Sequence, residues 1–139
     1  SIPLSVVFAS SQESGEGDAS HLTDGNPSSY WHTMYSVTVA NYPHWVDFDC
    51  GGVKTIKGFT YLPRQDSNNG NIKKYSIQVS NDGKTWGKAV AEGEFENNRK
   101  EKTILLTTPV KARFVRLTAL SEQSGQDFAT GAEFKVLEK

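Results

Sequence analysis

Three groups of residues combine types and spacings that suit particular chemistries. In His21-Leu22-Thr23-Asp24-Gly25-Asn26-Pro27-Ser28-Ser29, the side chains of Asp24, Asn26 and Ser29 can offer oxygens from one tight turn, and Gly25 permits the reversal that points carbonyls inward. A hard cation such as Ca²⁺ needs oxygen ligands of this kind. On spacing alone, the same residues make a good turn and no more, which is the simpler reading. The second group is Trp31-His32-Thr33-Met34-Tyr35 together with Tyr61-Leu62-Pro63-Arg64-Gln65-Asp66-Ser67-Asn68-Asn69-Gly70. A sugar ring is held by planar polar groups that pair with adjacent hydroxyls and by an aromatic face laid on its C–H surface. His32, Arg64 and Asn69 are such polar groups, and Tyr35 is such a face. Plainer uses are also open to them: His32 packing locally, Arg64 pairing with Asp66, Asn69 capping a turn. In the third group, Ser121 to Phe134, Phe128 stands in a polar, glycine-containing loop, where an aromatic either folds back into the core or is displayed to a ligand.

Signatures of catalysis are weak by comparison. The chain has no nucleophile elbow, phosphate-cradling glycine loop, His-Glu-x-x-His pair or dinucleotide fingerprint. Among 16 acidic residues, accidental carboxylate pairs are expected, so no acid and base of the glycosidase type can be designated. The single cysteine, Cys50, can form no internal disulfide and reads as a small buried hydrophobe at a strand end. His44 reads as packing at a strand entrance.

The elements that carry these groups are strands. Apolar residues alternate with a period of two at Val46, Phe48 and Cys50, at Tyr75, Ile77 and Val79, and at Arg113, Val115 and Leu117. Residues 55–62, 88–94, 102–107 and 132–137 are further strand candidates, rich in β-branched or aromatic residues. Turns are marked at Asp24-Gly25-Asn26-Pro27, Cys50-Gly51-Gly52, Asn68-Asn69-Gly70, Asn81-Asp82-Gly83-Lys84 and Ser124-Gly125-Gln126. No window shows a helical stripe, so the pattern predicts an all-β antiparallel sandwich or barrel. The polar segment 10–36, long for a loop and interrupted by Tyr30-Trp31-His32, predicts a functional loop.

A length of 139 residues predicts one domain, residues 1–139, with its own core. Its formal net charge of −1, with basic residues scattered, supplies no concentrated positive field; this argues against nucleic acid and anionic membrane as partners. Beginning Ser1-Ile2-Pro3-Leu4, the chain reads as a segment of a longer protein.

In order along the chain, Ala9-Ser10-Ser11, Asp24-Gly25-Asn26-Pro27, Tyr30-Trp31-His32, Pro43 to Asp49, Tyr61-Leu62-Pro63-Arg64, Tyr75 to Trp86, Ala112 to Leu117 and Ala132-Glu133-Phe134 resemble the coagulation factor 5/8 type C, or discoidin, domain. The Trp-His and Leu-Pro-Arg elements are most similar to carbohydrate-binding module family 32. That resemblance implies a discoidin-like jelly-roll β-sandwich, with a non-catalytic carbohydrate site in loops at one end. It implies a glycan partner with galactose, N-acetylgalactosamine or N-acetylglucosamine termini, bound by His32, Arg64 and Asn69 with Tyr35 and Phe128 as flanking aromatics. It also implies a structural Ca²⁺ held by Asp24, the carbonyls of His21, Asn26 and Ala132, Ser29 and Glu133. Ser29 stands where the family more often has Thr. A covalently linked glycoside hydrolase domain and an extracellular, cell-surface or periplasmic location are implied as well. The paired terminal cysteines of animal discoidin domains are absent, which points away from the lipid-binding branch. The rival expectation is a discoidin-type adhesion module, with Met34, Tyr35 and Phe128 as apolar spikes toward a protein or membrane. A remnant glycosidase ranks below both.

Overall fold

The computed structural model describes all residues from Ser1 to Lys139. Eight strands run in the order β1 (Ser5–Ala9), β2 (Trp31–His32), β3 (His44–Leu62), β4 (Lys74–Ser80), β5 (Ala91–Glu94), β6 (Lys102–Ala119), β7 (Thr130–Gly131) and β8 (Glu133–Glu138). The helical content is one 3₁₀ turn, Ala19–Thr23. Every strand-to-strand ladder is antiparallel.

The architecture follows from two long strands that serve two layers. The first half of β3 pairs with the second half of β6, from His44 opposite Ala119 to Asp49 opposite Phe114. On either side lie β1 and β4, with β5 beyond β4. After a register break between Asp49 and Lys54, β3 continues against the first half of β6 and takes β8 on its other edge. Cys50-Gly51-Gly52, expected to end a strand, is therefore a bend within one continuous strand. Gly51 adopts φ +81°, and its N–H donates to Asp49 Oδ1 at 2.8 Å, so the reversal is absorbed locally while pairing resumes on the far side.

Between the layers the alternating side chains close the core. Phe48 from one layer stacks on Phe134 from the other at 4.8 Å between ring centroids, and Phe59 lies 6.0 Å from Phe134. At the other end Phe95 is stacked between Tyr61 (4.9 Å) and Tyr75 (4.2 Å). Cys50 is buried at the bend within β3, where loss of hydration pushes its thiol up to about 11. His44 is buried at the entry to β3, as expected, with Nε2 donating to Asp127 O at 2.6 Å. Asp47 is buried yet faces a partner: Arg116 donates to it through Nε at 2.7 Å and Nη2 at 2.9 Å. Three short strands escape the period-two reading, among them β7, two residues that follow the Phe128 loop. β1 is short and its Val7 and Phe8 are exposed; β2 is two residues inside a polar loop.

Tyr61 ties the core to the loops above it. Its hydroxyl donates to Thr130 O at 2.7 Å and accepts from Ile72 N at 3.2 Å, all in buried surroundings. Removing that hydroxyl leaves two buried backbone groups unpaired, a penalty of about 1–3 kcal/mol each before relaxation. Tyr61→Phe is therefore expected to cost about 2 kcal/mol in urea-unfolding free energy despite conserving the ring, whereas a cost near zero means that water reaches these groups.

Candidate functional site

The loops at the Tyr61 end bring together side chains that are far apart in sequence. β2 enters first: Trp31 is buried and its Nε1 donates to Ser11 O at 2.9 Å. His32 is clasped by backbone on both sides, its N–H donating to Gly17 O at 3.1 Å and its carbonyl accepting from Glu13 N at 2.8 Å. A Cβ at position 17 would stand 2.6 Å from His32 Cβ, so only glycine lets the two segments approach this closely. His32 Nδ1 lies 2.6 Å from Thr33 O. A carbonyl only accepts, so the Nδ1 proton is fixed, and in the neutral ring Nε2 is left as an acceptor.

Tyr35 is set by two glutamates. Glu13 accepts from the N–H groups of Tyr35 (2.9 Å) and Ser36 (3.0 Å) through Oε1 and from the Ser36 hydroxyl (2.6 Å) through Oε2. These donors, Ser36 Oγ foremost, hold its carboxyl down at about 2. The Tyr35 hydroxyl donates to Glu16 Oε2 at 2.6 Å, and that bond lifts the phenol to about 12.

Arg64 follows Leu62-Pro63 out of β3. Its guanidinium lies 3.8 Å above the centre of the Tyr30 ring, and its Nε donates to Asp66 Oδ1 at 2.6 Å. The expected pairing with Asp66 is thus present, but it occupies only one edge of the guanidinium. Asp66 stands in solvent at 64% side-chain exposure against 13% for Arg64, so the aspartate reaches in to brace the arginine. Asn69 is at the tip of the 68–70 turn, with its carbonyl accepting from Thr130 Oγ1 at 2.8 Å. Phe128 neither enters the core nor stands alone; its ring is 5.3 Å from His32 and 6.4 Å from Tyr35. Its loop is pinned from below by the Tyr42 hydroxyl on its carbonyl.

Together His32, Tyr35, Arg64, Asn69 and Phe128 line one open cavity of about 330 Å³, with Glu16 completing the wall. That size lies at the small end for ligand sites and suits a single ring with its substituents. The sequence reading named five of the six. Glu16 was hidden in the Ser- and Gly-rich part of segment 10–36, where its partner Tyr35 is 19 residues away and no spacing rule connects them.

Beneath this cavity lies Glu122, also not singled out from the sequence. It is buried, and its carboxylate accepts from Gly70 N (2.8 Å), Ser124 N (2.6 Å) and Gln126 N (2.9 Å). One side chain thereby fastens the turn bearing Asn69 to the loop bearing Phe128.

The other candidate group gathers where the end of the 3₁₀ turn meets the start of β8. Asp24 accepts from Asn26 N at 2.8 Å and from Ser29 Oγ at 2.5 Å, and the Asn26 carbonyl accepts from Ser29 Oγ at 3.1 Å. The His21 carbonyl accepts from Asp24 N at 3.4 Å. Glu133, at the start of β8 next to Ala132, is buried against Asp24, and its Oε1 has no hydrogen-bond partner. Burial, followed by the Asp24 carboxylate, pushes Glu133 up to about 7. Two carboxylates facing each other with one oxygen unsatisfied form a donor set of hard oxygens.

The chain is similar in sequence and in structure to known domains. It matches the F5/8 type C domain over residues 7–134. It is 40% identical over 137 residues to a sialidase of Micromonospora viridifaciens, covering 96% of this chain and 21% of that protein. Among solved structures, it superposes on the family 32 carbohydrate-binding module of Clostridium perfringens NanJ in complex with galactose with a TM-score of 0.86, 33% identity and coverage of 97% and 96% of the two chains. A second Clostridium perfringens family 32 module, in complex with GalNAc-β-1,3-galactose, gives a TM-score of 0.88 at 35% identity, covering 97% and 95%.

The chain therefore belongs to the F5/8 type C domain family, a β-sandwich with its loops gathered at one end. Within that family it is a carbohydrate-binding module of family 32, a binding domain and not an enzyme. It spans about a fifth of the length of the curated sialidase it matches, 21%.

The Glu122 clamp is testable without any ligand. Glu122→Ala strands three backbone donors and should cost about 3 kcal/mol. It should also raise the exchange rates of the Gly70, Ser124 and Gln126 amides more than those of the β3–β6 ladder, and uniform acceleration means that the clamp is not local.

Proposed function

We propose that the cavity binds a terminal galactose or N-acetylhexosamine residue of a glycan. The observation that carries this reading is the convergence of His32, Tyr35, Arg64, Asn69 and Phe128, from three separate segments of the chain, on one cavity of monosaccharide size. Each hydroxyl of a sugar both donates and accepts. Arg64 Nη1 and the Asn69 side-chain NH₂, neither of which hydrogen-bonds within the chain, supply donors, while His32 Nε2 supplies an acceptor. Tyr35 and Phe128 meet nearly at right angles, 79° between ring planes, and offer faces for the C–H surface of the ring. The galactose and GalNAc-galactose ligands of the two family 32 neighbours support the same sugar class.

A shallow site of this kind yields about −4 to −6 kcal/mol, or millimolar to tens of micromolar. We read the module as the targeting part of a larger extracellular glycoside hydrolase, in which linkage to a catalytic domain raises the effective concentration at the substrate. Arg64→Ala is expected to abolish binding to a glycan array and in calorimetry. The melting temperature should fall by only a few degrees, since the loss is one exposed-side ion pair and one cation–π contact, about 1 kcal/mol. Retained binding in this variant overturns the site assignment.

For the second group we propose a structural Ca²⁺. Asp24, Ser29 and Glu133, with the carbonyls of His21, Asn26 and Ala132, would hold it, and the unpartnered Glu133 Oε1 is the observation that supports a cation here. A bound cation neutralises the facing carboxylates and fastens the first long loop to the start of β8. Calcium at about a hundred times its Kd should add about 2.7 kcal/mol, or roughly 10 °C in melting temperature. A melt unmoved by chelator and by added calcium counts against the ion.

A second reading, adhesion to a protein or lipid surface, draws on Val37 and Val39, exposed at 83% and 41% in the loop following Tyr35. Binding to neutral liposomes together with a silent glycan array would favour it.

A further inference from the structure

The charge around the cavity carries an inference that rests on the sugar reading and sharpens it. Arg64 is the one cation that lines the wall, and its charge is already met by Asp66 at 2.6 Å. The neighbouring Arg99 is committed elsewhere, donating to Gln65 O at 2.7 Å and Asn68 Oδ1 at 3.2 Å. Against these stand two further carboxylates, Glu16 in the wall and Glu13 behind Tyr35. Glu13 has its oxygens filled by Tyr35 N, Ser36 N and Ser36 Oγ. Glu16 is different. Tyr35 holds it through Oε2 alone, and Oε1 makes no hydrogen bond within the chain. The cavity thus presents a fixed anionic oxygen together with the acceptor nitrogen of His32, and its cation is largely neutralised.

That pattern discriminates by chemistry. A hydroxyl or ammonium group can donate to Glu16 and His32. A carboxylate or sulfate can only accept, so at the same place it finds lone pairs facing lone pairs and a like charge within a few ångströms. We propose that Glu16 is a specificity-determining residue which, anchored by Tyr35, admits neutral or amino sugars and rejects sugars bearing a carboxylate or sulfate. One unit charge repelled across about 6 Å in an open cleft, at a dielectric of about 40 and so between a protein surface and bulk water, corresponds to roughly tenfold in affinity.

The test uses three related probes that differ in charge: methyl β-galactoside, the corresponding galacturonide and galactosamine, measured by calorimetry on the wild type, Glu16→Gln and Glu16→Asp. The galacturonide should bind the wild type roughly tenfold more weakly than the galactoside, and galactosamine at least as well. Glu16→Gln, at an exposed position, should bring the galacturonide-to-galactoside ratio close to one, whatever it does to either affinity alone. Glu16→Asp should keep the discrimination, and 1 M NaCl should erode it in the wild type, which steric exclusion would not. Equal wild-type binding of galactoside and galacturonide overturns this inference and leaves the sugar reading intact, as does a ratio unchanged in Glu16→Gln. Failure of all three probes, and of N-acetylgalactosamine measured beside them, overturns the sugar reading and this inference with it.

Discussion

Everything at the loop end hangs on the short segment from Ala129 to Glu133. It exchanges hydrogen bonds with the residues after β2 through Thr33 N to Ala129 O (3.0 Å) and Ala129 N to Thr33 Oγ1 (3.1 Å). The turn carrying Asn69 is held through Thr130 N to Gly70 O (2.9 Å), and the end of β3, just before Arg64, through Ala132 N to Leu62 O (2.8 Å). Packing enforces the same meeting: a Cβ on Gly131 would stand 2.9 Å from both Leu22 and Tyr61, and one on Gly70 would stand 2.6 Å from Thr130. Loops that are long and polar in sequence are therefore not independent here. Each finds its backbone partners in one buried strand fragment, because a buried N–H or C=O left unpaired costs about 1–3 kcal/mol.

This explains why the cavity is backed by carboxylates that accept backbone N–H groups. Glu13 and Glu122 each close several donors of a loop that has no ladder to satisfy them. Such carboxylates act as local substitutes for a neighbouring strand. The binding groups are consequently placed before any ligand arrives, and a weak site benefits most from preorganisation, since ordering a mobile side chain on binding costs about 0.5–1.5 kcal/mol. Arg64 illustrates the balance. Stacked on Tyr30 and braced by Asp66, it has lost rotamer freedom already but keeps one nitrogen for a ligand.

The sequence displayed the sandwich because period-two alternation survives wherever a strand has one face on the core, as in Val46 and Phe48 or Tyr75 and Ile77. It hid the continuity of β3, since glycines that signal a turn also serve a bend, and local chemistry is the same for both. His32, Arg64, Asn69, Tyr35 and Phe128 were legible through family resemblance; by type and spacing alone, the plainer readings stood level or ahead. Glu16, Glu13 and Glu122 stayed invisible for another reason. A glutamate's role here is fixed by which distant N–H or O–H it meets, 19 residues away for Glu16 and 52 for Glu122, and nothing in a linear pattern encodes that meeting.

The Asp24–Glu133 group and the cavity are linked by the same fragment. Glu133 begins one residue after Ala132, and β7 pairs Gly131 with Trp31 and Thr130 with His32. Two residue pairs are too few to hold a ladder by themselves. Their register depends on both ends being anchored, at Glu133 on one side and at the Asn69 and Phe128 loops on the other. Asp24 and Glu133 face each other where that fragment meets the first long loop, and β2, with His32, belongs to that loop. A change at the Asp24–Glu133 pair therefore reaches His32 through β7, without any direct contact between the two groups. The two groups that the sequence presented as separate motifs are mechanically one.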